Sequence, residues 1–349
     1  MKAKNLLLLI AIIGLAIGCN QQSGADQTNE DAIITAADTA LMQSAQAWFQ
    51  PLPVVAENPA NPLSPGKIAL GKALYYDKRL SKDENISCNS CHNLETFGVD
   101  NETTSNGDTG EKGDRNSPTV LNAALHFVQF WDGRAADVEE QAGGPILNPV
   151  EMAIPSEEFL INRLNTIDEY KDKFAEAFPG QENPITYDNV ENSIAAFERT
   201  LLTRAPFDDY LEGNFNALNE QQRKGLNTFI NAGCTMCHSG ALLGGNMYHK
   251  FGIYDEYWKH TKSEKIDEGL AGITGEESQK FMFKVPSLRN VEKTFPYYHD
   301  GSVSELGEAI EIMAYTQLDK ELTDQEIADI GAFLSTLTGT IPEEVLKKD

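Results

Sequence analysis

Cys88-Asn89-Ser90-Cys91-His92 and Cys234-Thr235-Met236-Cys237-His238 decide how this chain is read. They hold four of its five cysteines, the fifth being Cys19. A bare Cys-x-x-Cys suits a disulfide, a zinc site or a redox dithiol. A histidine directly after the second cysteine, in both copies, selects among these. Zinc gives no reason for it, whereas Cys-x-x-Cys-His is the c-type haem attachment signature. Two thiols add across the haem vinyl groups, and the adjacent histidine reaches the iron. The expected cofactors are two covalently bound c-type haems, one on Cys88, Cys91 and His92 and one on Cys234, Cys237 and His238.

Outward from these motifs the apolar spacing is helical. Pro65–Tyr76 places Ile68, Leu70, Ala73 and Leu74 on one stripe, and Gln221–Phe229 does the same with Leu226 and Phe229. Further helices are expected over Ser156–Phe178, Tyr187–Thr203, Ser304–Ala314 and Thr323–Leu337. Ser156 caps the first of these, and Thr323 with Glu326 forms a capping box on the last. Leu121–Gln129, which carries His126, also looks helical. No run alternates as a strand does, and Asp100–Asn116 and Gly240–Gly252 read as loops near the cofactors. The haem histidines are 146 residues apart, about one domain each. The fold class read from this is mainly α: two tandem cytochrome c-like domains, loop-rich, each with one covalent haem. Its boundaries are residues 1–18 as a lipoprotein signal peptide, 19–50 as tether and N-terminal segment, and 51–205 and 206–349 as the two haem domains.

The N-terminus reads as an export signal. Lys2 and Lys4 precede an apolar run from Leu6 to Ile17, twelve residues and too few to span a bilayer. It closes as Leu15-Ala16-Ile17-Gly18-Cys19, which resembles a bacterial lipobox. Cys19 is therefore the expected lipidated first residue, the periplasm the expected location, and that anchor the only expected contact with a membrane. Asn20–Asn29 is polar, as a tether should be. Across 349 residues, 28 basic against 53 acidic side chains leave a net charge of −25. That excludes the basic face a nucleic-acid binder needs and favours basic partners. With 41% hydrophobic and 9% aromatic residues the chain can still fill a core.

A reactive iron needs an open sixth position, whereas an electron-carrying iron has both axial sites filled, commonly by methionine opposite histidine. Met236 lies inside its own haem motif and cannot reach the far face. Met313 is 75 residues beyond His238 on a helical stretch, with Met247, Met282, His249 and His260 as competitors.

Several stretches together resemble the bacterial di-haem cytochrome c peroxidases. They are Cys88–His92, Arg115-Asn116-Ser117-Pro118-Thr119, Gln129-Phe130-Trp131-Asp132-Gly133-Arg134, Gly144-Pro145, Glu151-Met152, Phe178-Pro179-Gly180, Pro286-Ser287-Leu288-Arg289-Asn290 and Pro296-Tyr297-Tyr298-His299-Asp300-Gly301. The match runs from about Leu63 to Thr338 in the family's order. It implies a periplasmic enzyme reducing hydrogen peroxide to water, with a small cytochrome c or copper protein as electron donor and a homodimer as the assembly. His92 would ligate the peroxidatic haem, His238 the electron-accepting haem and Met313 the latter's second axial site. Trp131 matches the tryptophan between the haems, and Gln141 and Glu151 the catalytic pair. A carboxylate there can carry a proton from one peroxide oxygen to the other, and an amide can steady developing charge. Asn116, with main-chain oxygens of Lys284 and Pro286, matches a calcium site. His299 matches a histidine near the haem edge and carries no catalytic role.

One departure matters. Many members carry a histidine sixteen residues beyond the first haem histidine, where it caps the oxidised iron; here that position is Asp108. No histidine lies between His92 and His126. Asp108 is expected to remain solvated, His126 to be packed, and the first haem to be open to peroxide without prior reduction. Two rival functions remain. One is a methylamine-utilisation-type oxidase acting on a protein, which would take tyrosine in place of Met313. The other is a non-enzymatic di-haem carrier, which leaves Gln141 and Glu151 without a purpose.

Overall fold

A computed structural model describes residues 35–346; Cys19, the export signal and the tether therefore lie outside the described residues. Helices α1 (Ala36–Trp48), α2 (Pro65–Tyr76), α3 (Cys88–Cys91), α4 (Val138–Leu147), α5 (Glu157–Asn165), α6 (Asp168–Ala177) and α7 (Tyr187–Glu198) make the first half. The second contains α8 (Pro206–Leu211), α9 (Glu220–Ala232), α10 (Tyr257–Thr261), α11 (Ala271–Thr274), α12 (Leu306–Leu318), α13 (Asp324–Ser335) and α14 (Glu343–Leu346). Two three-residue strands, β1 (Tyr248–Lys250) and β2 (Met282–Lys284), pair antiparallel with Tyr248 opposite Lys284.

The halves repeat one another at the crossing that precedes each haem motif. In the first, α2 meets α7 so closely at Gly71 that a Cβ there would stand 1.8 Å from Ser193 O. In the second, α9 meets α13 at Gly225, where a Cβ would stand 1.8 Å from Asp329 O. One turn later each pair is keyed by an aromatic contact, Tyr75 with Phe197 at 5.3 Å and Phe229 with Phe333 at 5.4 Å between centroids. Only glycine admits backbone that close. These are two copies of one helix pair, each packed on an apolar core of its own. Leu70, Leu74, Leu160 and Phe174 fill the first core, and Phe207, Leu226, Phe229 and Phe333 the second.

The chain ends do not stay with the nearer half. Ala45 and Phe49, at the end of α1, pack into the second core, whereas Val345 of α14 packs with Tyr75, Leu94 and Phe197 of the first. The connection between halves is pinned by a fully buried pair in which Arg289 donates to Asp208 at 2.7 and 2.8 Å. Thr203 Oγ1 accepts from Asn122 and from Asn290, each at 2.9 Å, so one hydroxyl is shared by both halves.

Several boundaries differ from the sequence pattern. Ser156–Phe178 is two helices, because Ile167 turns extended and lets α5 and α6 bury Leu160, Leu164, Tyr170 and Phe174 on the same core. Helix α7 stops at Glu198, five residues before Thr203, because the following main chain bonds across to Asn122: Asn122 N donates to Leu201 O and Thr203 N to Asn122 Oδ1. Leu121–Gln129 has a single 3-10 turn, Ala123–Leu125, since Asn122 is left-handed at φ 62°. Helix α12 runs past Ala314 to Leu318. Ser156 and Thr323 cap as read, and α2 has the expected ends.

Two candidate haem cavities

Each motif is one tight turn. α3 is closed by His92 N donating to Cys88 O at 2.9 Å, and the second motif by His238 N donating to Cys234 O at 2.9 Å. The turn brings both cysteines and the histidine to one cavity wall. Cys88, Cys91 and His92 line a first cavity and Cys234, Cys237 and His238 a second, of about 1270 and about 1240 Å³ with their solvent-filled mouths included. His92 Nδ1 lies 3.0 Å from Pro118 O, and His238 Nδ1 3.0 Å from Leu243 O. A carbonyl can only accept, so Nδ1 carries the proton in both rings and Nε2 keeps its lone pair. That is the tautomer a metal ligand needs, fixed by its outer partner. Burial lowers both imidazoles, His238 to about 4, and so keeps them neutral.

The four cysteines are free. Burial pushes Cys91 and Cys234 up to about 11, which opposes the thiolates that zinc demands and leaves thiols available for thioether bonds. Neutral histidines, protonated thiols and a broad cavity at each motif fit covalent haem.

The first cavity has polar walls. Gln141 reaches it from α4, and Glu151 from the loop just after, where Asn148 Nδ2 donates to its carboxylate at 2.8 Å. Burial raises the Glu151 carboxyl; the nearby Arg134 charge and the Asn148 bond pull it back less. Arg134 is itself stacked 3.5 Å over Phe130 and paired with Asp132 at 3.1 Å. The sequence reading gave no wall role to four more lining residues: Glu198, Arg134, His126, expected only to be packed, and Lys284, expected only to lend a main-chain oxygen to calcium; the Lys284 Nζ lies 3.0 Å from His126 Nδ1. Only spatial placement marks these out. His126 is packed as expected, and its buried Nε2 has no partner among the described residues.

Asp108 is not solvated. It is buried and its carboxylate accepts from Ser81 Oγ at 2.9 Å, Asp83 N at 2.6 Å and Asn85 N at 3.1 Å. Its own N–H donates to Glu151 O at 2.7 Å. Three donors around one carboxylate offset its desolvation, which a sequence cannot display. Asp108 clasps the loop that holds Glu151 and does not line the cavity.

The second cavity is apolar apart from a few groups. One face of α12 forms a wall through Leu306, Ala309, Ile310, Met313, Ala314 and Gln317. Of the competitors to Met313, His249 also lines this cavity, whereas Met247, Met282 and His260 do not. His299 is buried, stacked on Phe283 at 4.3 Å, with its carbonyl accepting Asn116 N at 2.8 Å. Trp131 and Lys284 line both cavities. The indole N–H of Trp131 donates to Asn116 O at 2.9 Å, and its carbonyl accepts Lys284 N at 2.8 Å. Asn116 lines the first cavity and Pro286 the second.

Residues 65–216 match a family profile described as di-haem cytochrome c peroxidase. A cytochrome c551 peroxidase of Nitrosomonas europaea is 46% identical over 78% of this chain and 80% of that protein. The chain belongs to the di-haem cytochrome c peroxidase family. A cytochrome c551 peroxidase of Pseudomonas aeruginosa is 44% identical over 87% of this chain and 88% of its own. Among solved structures, a MauG-like protein associated with microbial copper homeostasis is 31% identical, with a TM-score of 0.74 over 85% of this chain and 95% of that one. Family membership carries two haems with it, in keeping with the two cavities, and a mainly helical, loop-rich fold.

Proposed function

We propose that this peroxidase works in the periplasm, held to a membrane by lipid on Cys19, and takes electrons from a small cytochrome c or copper protein. Residues 51–205 form its peroxidatic haem domain and residues 206–349 its electron-transfer domain. Electrons enter at the second cavity and are used at the first, giving H2O2 + 2 electrons + 2 protons → 2 H2O. When bound, the first haem supplies the iron at which peroxide is reduced, and the second holds an electron in reserve. His92 would hold the first of them, and His238 together with Met313 the second. Glu151 takes a proton from one peroxide oxygen and returns it to the other as the O–O bond breaks, and the Gln141 amide donates to the oxygen that gains charge.

The observation that carries this reading is Trp131, a single indole lining both cavities. A protein that only stored electrons would need no polar, acid-bearing wall at one cavity. A tyrosine-ligated, methylamine-utilisation-type site is disfavoured by Met313 on the α12 wall. Calcium at Asn116, Lys284 and Pro286 and a homodimer belong to the same proposal, with chelation and sedimentation as their tests. The −25 charge supports a donor with a basic face.

Asp108 is engaged within its loop and outside the cavity wall, so the position where many relatives carry a histidine offers the first iron no ligand, which supports peroxide binding without prior reduction. Electron paramagnetic resonance of the oxidised holoprotein, followed by steady-state peroxide turnover, tests the whole. One low-spin and one high-spin or water-capped ferric haem with turnover is expected. Two low-spin ferric haems overturn the open-site reading, and absence of turnover overturns the assigned reaction.

A further inference from the structure

Helix α7 ends in the wall of the first cavity on an acid that peroxide reduction, as derived above, does not use. Glu198, its last residue, is 5% exposed and lines the cavity with Ile194, one turn earlier on the same face. Among the described residues its carboxyl joins no hydrogen bond or ion pair. The adjacent Arg199 is committed to Glu139 on α4, donating at 2.9 and 2.6 Å. Glu198 acts electrostatically on Cys88 of α3 and Tyr75 of α2, whereas Glu151 acts on Cys91. The two acids thus sit near different haem-attachment cysteines.

We propose that Glu198 couples reduction of the first haem to uptake of one proton at the cavity wall. This rests on the reading above that a covalent haem occupies the first cavity. In the ferric/ferrous couple of that haem, read against an external reductant at pH near or above the Glu198 titration, one electron takes ferric to ferrous iron and one solvent proton converts the Glu198 carboxylate to the acid. The cavity's net charge is unchanged, and no other bond is made or broken. Without that proton the electron would join a buried anion in a medium that screens poorly. Burial lifts the Glu198 carboxyl to about 8; the Glu139 carboxylate adds to this and the Arg199 guanidinium opposes it. Arg115, Arg134, Glu151, His126 and Lys284 also line the cavity, and Lys284 is lowered to about 7 by burial, so the effect must be read as a difference between variants.

The sign follows directly. Neutral Glu198 favours the reduced haem and ionised Glu198 the oxidised one, so the first haem's midpoint potential falls as pH rises through the Glu198 titration. A potentiometric titration of the holoprotein between about pH 6 and about pH 9 reads this, with a limiting slope of tenfold in the electron equilibrium per pH unit, ~59 mV for a one-electron couple. Glu198→Gln keeps the shape and loses the titration. It is expected to hold the low-pH potential across the range, whereas Glu139→Gln moves the slope to lower pH. An undiminished slope in Glu198→Gln overturns the proposal, because a purely structural acid would behave that way. Should that variant fail to take up haem, infrared difference spectra of the wild type, recorded above the Glu198 titration where the carboxylate is the starting form, decide: a protonated-carboxyl band growing on reduction of the first haem upholds the proposal, and its absence overturns it. A protein with no haem on Cys88 and Cys91 overturns the functional reading as well, and is told apart by its visible spectrum.

Discussion

The two cavities are nearly equal in size and built on the same motif, yet their walls differ in kind. The first gathers Glu151, Gln141, Arg134, Glu198 and the His126–Lys284 pair; the second is walled mainly by apolar residues of α12, β2 and the segment after it, with Met313 among them. Reduction of peroxide consumes protons, so groups that hold and move them must border the reacting centre. A centre that only stores an electron is better served by a saturated iron in apolar surroundings. Under the proposed assignment, loops have given a duplicated helix pair two chemistries, while the Gly71 and Gly225 crossings stayed alike.

The largest test of this contrast is Glu151→Gln. Turnover is expected to fall by about 10²–10⁴-fold, with the second haem's spectrum unchanged. In the wild type the acid limb of the activity profile should lie above the ordinary carboxylate range, because burial raises Glu151 and the carboxylate is the form that accepts the first proton. That limb disappears in the variant. Met313→Leu attacks the other side. It should abolish the low-spin signature of the second haem and lower its potential, by a share of the ~0.8 V span that axial ligation commands. The first cavity should still bind cyanide, and if Met313 leaves the second spectrum untouched, His249 becomes the ligand to examine.

Smaller effects probe the shared scaffold. Gly71→Ala and Gly225→Ala each force a methyl into backbone, and each should cost at least ~1–3 kcal/mol in denaturant unfolding. The first should perturb the first haem's spectrum and the second the other; equal perturbation of both haems by either would deny that the halves are separate copies. Thr323→Ala removes the cap of α13 and should cost about 1 kcal/mol, felt in the second half alone.

Much of this was legible along the chain, and particular residues show why. Histidine after each cysteine pair, the stripe in α2 and the Thr323–Glu326 box are local features, written within a few residues. The break at Ile167 was not, because it is imposed by the core that α5 and α6 share. Asp108 misled for the same reason: an acid in a Gly/Asn-rich loop looks solvated until its three donors, from residues 81–85, are seen around it.

Taken alone, the sequence determined the chemistry of attachment, the number of haems and the helical class, since each depends on spacing within a turn or two. Resemblance placed Trp131 and Glu151; tertiary structure alone decided that Glu198 borders the first cavity, that Asp108 is buried within its loop, and that α1 packs on the second half and α14 on the first. Those outcomes depend on contacts between residues distant in the chain, such as Tyr76 with Val345, 269 positions apart. Burial and charge at such contacts are set by the whole fold and have no local signature.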